Sequence, residues 1–267
     1  MRKGLLSMRS ISVKLNNIKL AYCNNVVIKD LSYEFNGPGL YIIKGKNGCG
    51  KSTLFKALLN LKKLDGGSIE STSKIKGIIE EPSGYFDLSS DKQLEYLTGH
   101  KTTDLYDLIN KFEMNEHLKK SFNSLSLGMK EKLSLLYLLN KDDDVLLLDE
   151  PTVAIDYQGV EALIKIINEL KINKLILIAT HDYYFINKVK PDHILQFDNG
   201  MFVEDFTNDK ISVNVKARRD LVDYFESNKL EYEKLNDSYN VYLTDSELND
   251  LFSSRKDLEI LDISFKL

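Results

Sequence analysis

Tryptophan is absent from this 267-residue chain, cysteine occurs twice and proline four times. Each scarcity removes a class of explanation. Cys23 and Cys49 supply neither a disulfide framework nor a cysteine metal cluster, which suits a reducing compartment. No stretch approaches the roughly 18 to 20 continuous apolar residues of a membrane-spanning helix. Met1-Arg2-Lys3-Gly4 opens with positive charge, but Arg9, Lys14 and Lys19 interrupt any apolar run behind it, so no export leader is expected. Neither charge sign dominates. The 36 basic and 40 acidic side chains leave a formal charge of -4, which gives no global attraction to nucleic acid or anionic lipid. What remains is a chain with 43% hydrophobic residues and a mean hydropathy of -0.26, enough for one large core and a small appendage.

Within it, Gly45-Lys46-Asn47-Gly48-Cys49-Gly50-Lys51-Ser52 fits G-x-x-x-x-G-K-[ST] at every specified position. The glycines let the backbone turn back and point its N–H groups inward, where a side chain would collide with phosphate. Lys51 reaches the β and γ phosphates in such a loop, and Ser52 ligates Mg²⁺. Gly39 to Lys44 reads as a short buried strand entering the loop. Thr53 to Leu59 reads as the helix leaving it, its N-terminus aimed at the phosphates. Of Cys49, inside the loop, only the backbone is needed.

Residues 11 to 35 alternate as strands, Ile11–Leu15, Ile18–Tyr22 and Leu31–Phe35, with turn formers at Asn16-Asn17, Asn24-Asn25 and Asn36 to Gly39 between them. Ser68–Glu70 and Ile75–Ile79 are short candidate strands. From Lys92 to Leu139 the pattern turns helical through Leu94, Leu97, Leu105, Leu108, Ile109 and Phe112, which predicts a helical subdomain inserted at about 88–140. Asp144 to Asp149 and Leu175 to Thr180 are apolar enough for the interior of a parallel sheet. Between them a helix carries Val160, Leu163, Ile164, Ile167 and Leu170 on one stripe, so strand, helix and strand alternate in the doubly wound α/β manner. After about residue 206 the character changes. Strands at Ile211–Val215, Tyr239–Leu243 and Leu258–Ile263, with helices at Leu221–Phe225 and 245–253, predict a small C-terminal α/β unit over 206–267 with no visible chemistry.

Asp149, at the carboxyl end of its strand, is placed to hold Mg²⁺ directly or through water. Glu150 follows and accepts a proton from attacking water or polarises it, so hydrolysis is expected rather than binding alone. His181 ends another core strand, where it hydrogen-bonds a γ-phosphate or holds water and Glu150 in register. Tyr22, an aromatic at a strand end, reads either as a core residue or as a ring that stacks on adenine.

These residues together resemble the ATP-binding subunit of an ATP-binding cassette (ABC) transporter over residues 11 to about 205, within a domain expected at 1–205. Gly45–Ser52 resembles Walker A, Val145–Glu150 resembles Walker B with its catalytic glutamate, and His181 resembles the switch histidine. Leu125-Ser126-Leu127-Gly128-Met129 resembles the signature whose common form is L-S-G-G-Q, and Val153-Ala154-Ile155-Asp156 resembles the D-loop. The resemblance implies a P-loop NTPase core with an antiparallel β subdomain, and ATP and Mg²⁺ as ligands. Gly45, Lys46, Asn47, Gly48, Cys49, Gly50, Lys51, Ser52 and Thr53 would surround phosphate, and Tyr22 would stack on adenine. Ser126, Gly128 and Asp156 would serve the ATP of the opposite subunit, although Ser126 also reads as a helix cap. The implied partners are a second copy of the chain or a paralogous ATPase, and a multi-span permease that holds the pair on the cytoplasmic face of a membrane.

Three positions depart from the family pattern. Leu127 replaces a signature glycine, Met129 replaces its glutamine, and Glu80, in Glu80-Glu81-Pro82, falls where a Q-loop glutamine is usual. Glu80 can still approach Mg²⁺ or water, but it brings charge and loses an amide donor. The Glu-Glu-Pro and L-S-L-G-M forms resemble lantibiotic- and bacitracin-type export and immunity ATPases. An ABC-type ATPase acting on a cytosolic assembly, or a regulatory protein that uses ATP only to change shape, remains open on sequence.

Overall fold

The computed structural model describes residues 11–23, 25–79, 88–140, 143–204, 211–217, 221–235, 238–243, 247, 251 and 258–265. The chain divides into two units, residues 1–204 and 205–267.

The first unit opens with β1 (Ser12–Tyr22) and β2 (Asn25–Asn36), an antiparallel pair extended by β4 (Gly66–Ser71) in the order β2-β1-β4. Val13, Leu15, Ile18 and Leu20 are buried along β1 while Lys14 and Lys19 face solvent, as period-2 alternation requires. Asn16-Asn17 is not the turn that its composition suggests. The strand runs straight through it, and the ladder to β2 shifts register there. Asn17 takes φ 47, its N–H donates to Ser32 Oγ at 2.9 Å, and its amide donates to Asp30 Oδ1 at 2.8 Å. Asparagine tolerates the left-handed region, so two turn formers here make a bulge.

β3 (Gly39–Lys44), β5 (Ile75–Ile78), β6 (Val145–Asp149), β7 (Leu175–Ala179), β8 (His193–Asp198) and β9 (Met201–Glu204) form the central sheet, ordered β5-β6-β7-β3-β8-β9. Only the β8–β9 pairing in it is antiparallel. Both faces are buried. Leu40, Ile42, Leu146, Leu148, Ile176 and Ile178 face one core, whereas Tyr41, Ile43, Val145, Leu147, Leu175 and Leu177 face the other. Continuous apolar runs follow from that double burial.

α1 (Lys51–Leu58) follows β3 and packs under the antiparallel sheet through Leu54, Phe55 and Leu58. Between β5 and β6 lie α2 (Ser90–Thr98), α3 (Tyr106–Lys111) and α4 (Leu127–Leu139), joined by short 3-10 turns. Leu94, Leu105, Ile109 and Phe112 are buried there, and Leu97 and Leu108 are half-buried. α5 (Tyr157–Leu170) joins β6 to β7. It buries Val160, Leu163, Ile164 and Ile167, and also Ala162 and Ile166, a wider face than the predicted stripe. α6 (Tyr183–Val189) follows β7. No helix among the described residues is long and apolar enough to cross a membrane.

The second unit is an antiparallel sheet of β10 (Ile211–Ala217), β11 (Glu231–Lys234), β12 (Tyr239–Leu243) and β13 (Leu258–Phe265), ordered β11-β12-β10-β13, with α7 (Val222–Ser227) after β10. Phe225 of α7 lies edge-on to Tyr239, with ring centroids 5.5 Å apart. β11, whose Glu-Tyr-Glu-Lys is mostly charged, carries no apolar signal and escapes sequence reading. The helix expected over 245–253 falls mostly outside the described residues, and so does Glu80.

Candidate functional site

Three neighbouring parallel strands, β6, β7 and β3, deliver the chemistry to one edge of the sheet. Asp149 pairs with Ala179, and Ala179 with Ile43, so the phosphate loop, Glu150 and His181 leave their strands at nearly the same level. This is the carboxyl end of the sheet, where open α/β folds bind ligands.

The loop is held by its own hydrogen bonds. Lys51 is only 7% exposed, and its Nζ donates to the carbonyl oxygens of Gly45 (2.6 Å) and Lys46 (3.2 Å). The Cys49 N–H donates to the Lys46 carbonyl at 3.2 Å. A Cβ on Gly45 would lie 2.4 Å from the Phe197 carbonyl oxygen and 2.8 Å from Cys49 Sγ, so only glycine lets the loop lie against β8. Gly50 caps α1 at φ 110 without a side-chain bond, which leaves the first helical N–H groups for an anion.

Facing the loop is a cavity of about 590 Å³. Tyr22, Asn47, Gly48, Gly50, Lys51, Ser52, Thr53, Asp149 and Glu150 line it, so most of the sequence-selected residues converge there. Ser52 hydrogen-bonds the Asp149 carboxylate. A hydroxyl and a carboxylate oxygen beside a helix N-terminus match Mg²⁺, which takes one or two protein oxygens and leaves the rest to phosphate and water. No group of three or more His, Cys, Asp or Glu among the described residues is placed to hold a metal.

Burial pushes the Asp149 carboxyl above its ordinary value, and repulsion from Glu150 adds to that. The Ser52 hydrogen bond and the charges of Lys51 and Lys56 only partly oppose it. The sign of the stability effect follows. Between the unfolded value and the raised folded value the folded state binds more proton, so nucleotide-free stability falls as pH rises through that window. Above that window the whole penalty is present. Asp149→Asn is therefore expected to raise the thermal midpoint of the nucleotide-free protein at pH 7 and to shrink this difference at pH 4. Calorimetric melting at the two pH values checks it, and an Asn variant that melts lower at pH 7 contradicts it.

Glu150 is held unusually firmly. Its backbone sits at φ 47, its N–H donates to the Ala179 carbonyl at 2.8 Å, and its Oε1 pairs with His181 Nδ1 at 2.9 Å. A left-handed glutamate is strained, and here the bond to β7 and the histidine hold it. Glu150 Oε2 is buried without a partner. It is an acceptor whose capacity no neighbouring donor takes up.

Ser126, Gly128 and Asp156 are not brought to this cavity. They line a second one of about 280 Å³ with His117, Met129 and Lys132, and Ala154 is shared between the two linings. Ser126 caps α4, its hydroxyl accepting the Met129 N–H at 3.3 Å. Asp156 caps α5 through Gly159 N–H at 2.8 Å and pairs at 2.9 Å with buried Lys132, whose hydrogen bond holds the aspartate below its usual range. A Cβ on Gly128 would lie 2.5 Å from the Ala154 carbonyl oxygen, so the close approach that demands glycine here is to the chain's own D-loop.

Sequence reasoning missed two residues in the main cavity or beside it. Glu131, 9% exposed, lines the cavity one helical turn after Leu127, and burial raises its carboxyl above the ordinary value. The four-residue spacing from the signature was the available signal. Lys62 lies over the Tyr22 ring at 4.2 Å, and nothing in the sequence joins those two positions.

The model of the ABC transporter family matches residues 28–153. The lantibiotic transport ATP-binding protein SrtF of Streptococcus pyogenes is 31% identical over 182 residues, which cover 63% of this chain and 80% of that protein. The chain belongs to the ABC transporter family. It is an ATP-hydrolysing subunit of that family. Among solved structures, the ATP-binding subunit of an ABC transporter matches this ABC ATPase with a TM-score of 0.65 at 20% identity, covering 91% of this chain and 98% of that one. A dimeric ATP-binding cassette in a post-hydrolysis state with ADP and Pi matches with a TM-score of 0.63 at 19% identity, covering 71% of this chain and 96% of that one. At those identities the likeness is one of fold.

Proposed function

We propose that this ABC ATPase works as a head-to-tail pair of chains with two ATP–Mg²⁺ between them, and that the pair powers a separate multi-span permease. One observation carries the pairing. Ser126, Gly128 and Asp156 open on a different cavity from the phosphate loop of their own chain, which leaves them to serve a nucleotide held by a second copy or a paralogous subunit. The N-terminus of α4, a 13-residue helix, offers N–H groups for that purpose. The dimeric form of the post-hydrolysis cassette of similar fold is consistent with this reading.

In this reading Lys51 and the loop N–H groups neutralise the β and γ phosphates. Ser52 and Asp149 hold Mg²⁺, which supplies further charge neutralisation when bound. Glu150, oriented through Oε1 by His181, takes the proton of the attacking water on Oε2. His181 keeps its other ring nitrogen for the γ-phosphate. Tyr22 stacks on the base. Catalysis is then positioning and electrostatics, as phosphoryl transfer generally requires. Similarity to the lantibiotic transport protein, together with the Glu80-Glu81-Pro82 and Leu125–Met129 variants, supports export of a peptide antibiotic or other amphiphile from the cytoplasmic face of the membrane.

The test is recovery of the tagged chain from detergent-solubilised native membranes. A multi-span protein that accompanies it at a fixed ratio, and a knockout with heightened sensitivity to peptide antibiotics, are the expected results. Recovery with a cytosolic scaffold alone overturns transport, and unchanged sensitivity overturns the cargo.

A further inference from the structure

Tyr22 ends β1 at the rim of the cavity, 48% exposed, on an edge where a large ring has little reason to hold one orientation. The segment between α1 and β4 supplies that reason. Lys62 Nζ donates to the Ala21 carbonyl at 2.7 Å and lies 4.2 Å from the centroid of the Tyr22 ring. Asp65 Oδ2 accepts the Ala21 N–H at 2.7 Å, and the Asp65 N–H donates to the Lys19 carbonyl at 2.9 Å. The residue just before Tyr22 is thus gripped on both its donor and its acceptor, and one face of the ring is taken by a cation.

We propose that Lys62 is a positioning and specificity residue for the nucleobase, fixing the Tyr22 ring from behind so that its other face receives a purine. The proposal rests on the reading of Tyr22 as the base platform. Two physical effects support it. A cation against one face of an aromatic ring draws π-density toward itself, which lessens the repulsion that the opposite face offers to an electron-rich base. A ring already held in its bound rotamer also spares the ordering cost of binding. Both effects act on the base and neither on the phosphates. The link also ties the base platform to the turn that follows α1, the helix whose first residues are Lys51 and Ser52.

Binding of ATP-Mg²⁺ and of inorganic tripolyphosphate-Mg²⁺ is measured by calorimetry for the parent, Lys62→Met, Lys62→Arg, Tyr22→Ala and the Lys62→Met/Tyr22→Ala double variant. Tyr22→Ala should weaken ATP binding about tenfold and leave tripolyphosphate unchanged. Lys62→Met should weaken ATP about fivefold, leave tripolyphosphate unchanged and add nothing to Tyr22→Ala. Lys62→Arg should restore most of the loss. Because the chain lacks tryptophan, Tyr22→Trp places a single tryptophan, excited selectively over the tyrosines, at the platform. Its response to ATP should shrink when Lys62→Met is added, a readout that also shows whether the variant is folded. Lys62→Met with parental ATP affinity overturns the proposal while the Tyr22 effect stands. Equal weakening of ATP and tripolyphosphate by Lys62→Met makes Lys62 a phosphate residue and overturns it too. Tyr22→Ala with unchanged ATP affinity removes the base-platform reading itself, and this proposal falls with it.

Discussion

Glu150→Gln is expected to slow ATP turnover by about 100- to 1,000-fold and to leave ATP affinity within about twofold of the parent. The substitution is nearly isosteric. The variant would keep the backbone bond to Ala179, and its side-chain amide can still hydrogen-bond His181, so the site's shape should survive. What disappears is the basic carboxylate oxygen, the Oε2 that is buried without a partner in this structure. An amide in its place has no useful affinity for a proton, and the attacking water must then lose its proton unaided. A second consequence follows from the pairing of chains. If ATP bridges two copies and is not consumed, the dimer should persist, because a ligand that binds only the paired state stabilises that state by mass action. Phosphate release gives the turnover, and size exclusion with ATP-Mg²⁺ gives the dimer. Parental turnover in the purified variant removes Glu150 from the chemistry, and a variant that stays monomeric with saturating ATP removes the sandwich.

Lys51→Ala should cost about 100-fold in ATP affinity and abolish turnover at ordinary ATP concentration. Two losses combine. The ammonium proposed to meet the phosphates is gone, and so are its bonds to the Gly45 and Lys46 carbonyls, which hold the loop in its turn. Asp149 also loses a nearby positive charge, so its carboxyl should move further up and become a poorer Mg²⁺ ligand at mildly acid pH. Lys51→Arg should not rescue, since a planar fork does not fit a buried position shaped for a single ammonium. Calorimetric titration with ATP-Mg²⁺ decides the matter. Affinity within twofold of the parent would mean that the loop N–H groups and α1 hold phosphate by themselves.

The parts legible in the sequence were those written as contiguous patterns. Gly45–Ser52, Val145–Glu150 and His181 could be read because a phosphate loop, a strand-end carboxylate pair and a strand-end histidine each occupy a short run with its own local chemistry. β3, β6 and β7 were legible because burial on both faces leaves a continuous apolar stretch. Asn16-Asn17 misled, since the same residues that make turns also make bulges, and the choice lay with Asp30 and Ser32 on the neighbouring strand. β11 could not be found, because a mostly charged edge strand carries no periodic signal.

By itself the sequence determined an ATP-hydrolysing chain of the ABC family and pointed to the residues proposed to hold phosphate and activate water. Those properties reside in backbone loops and single side chains whose chemistry is local. Tertiary structure decided how the pieces are shared. It set Glu150 against His181 across 31 residues, placed Ser126 and Asp156 on a cavity away from the chain's own phosphate loop, and gave Gly128 a neighbour in Ala154 rather than in phosphate. It also put Lys62 behind Tyr22. Such pairings depend on which strand lies beside which and on where a helix ends in space, and no local run of residues encodes either.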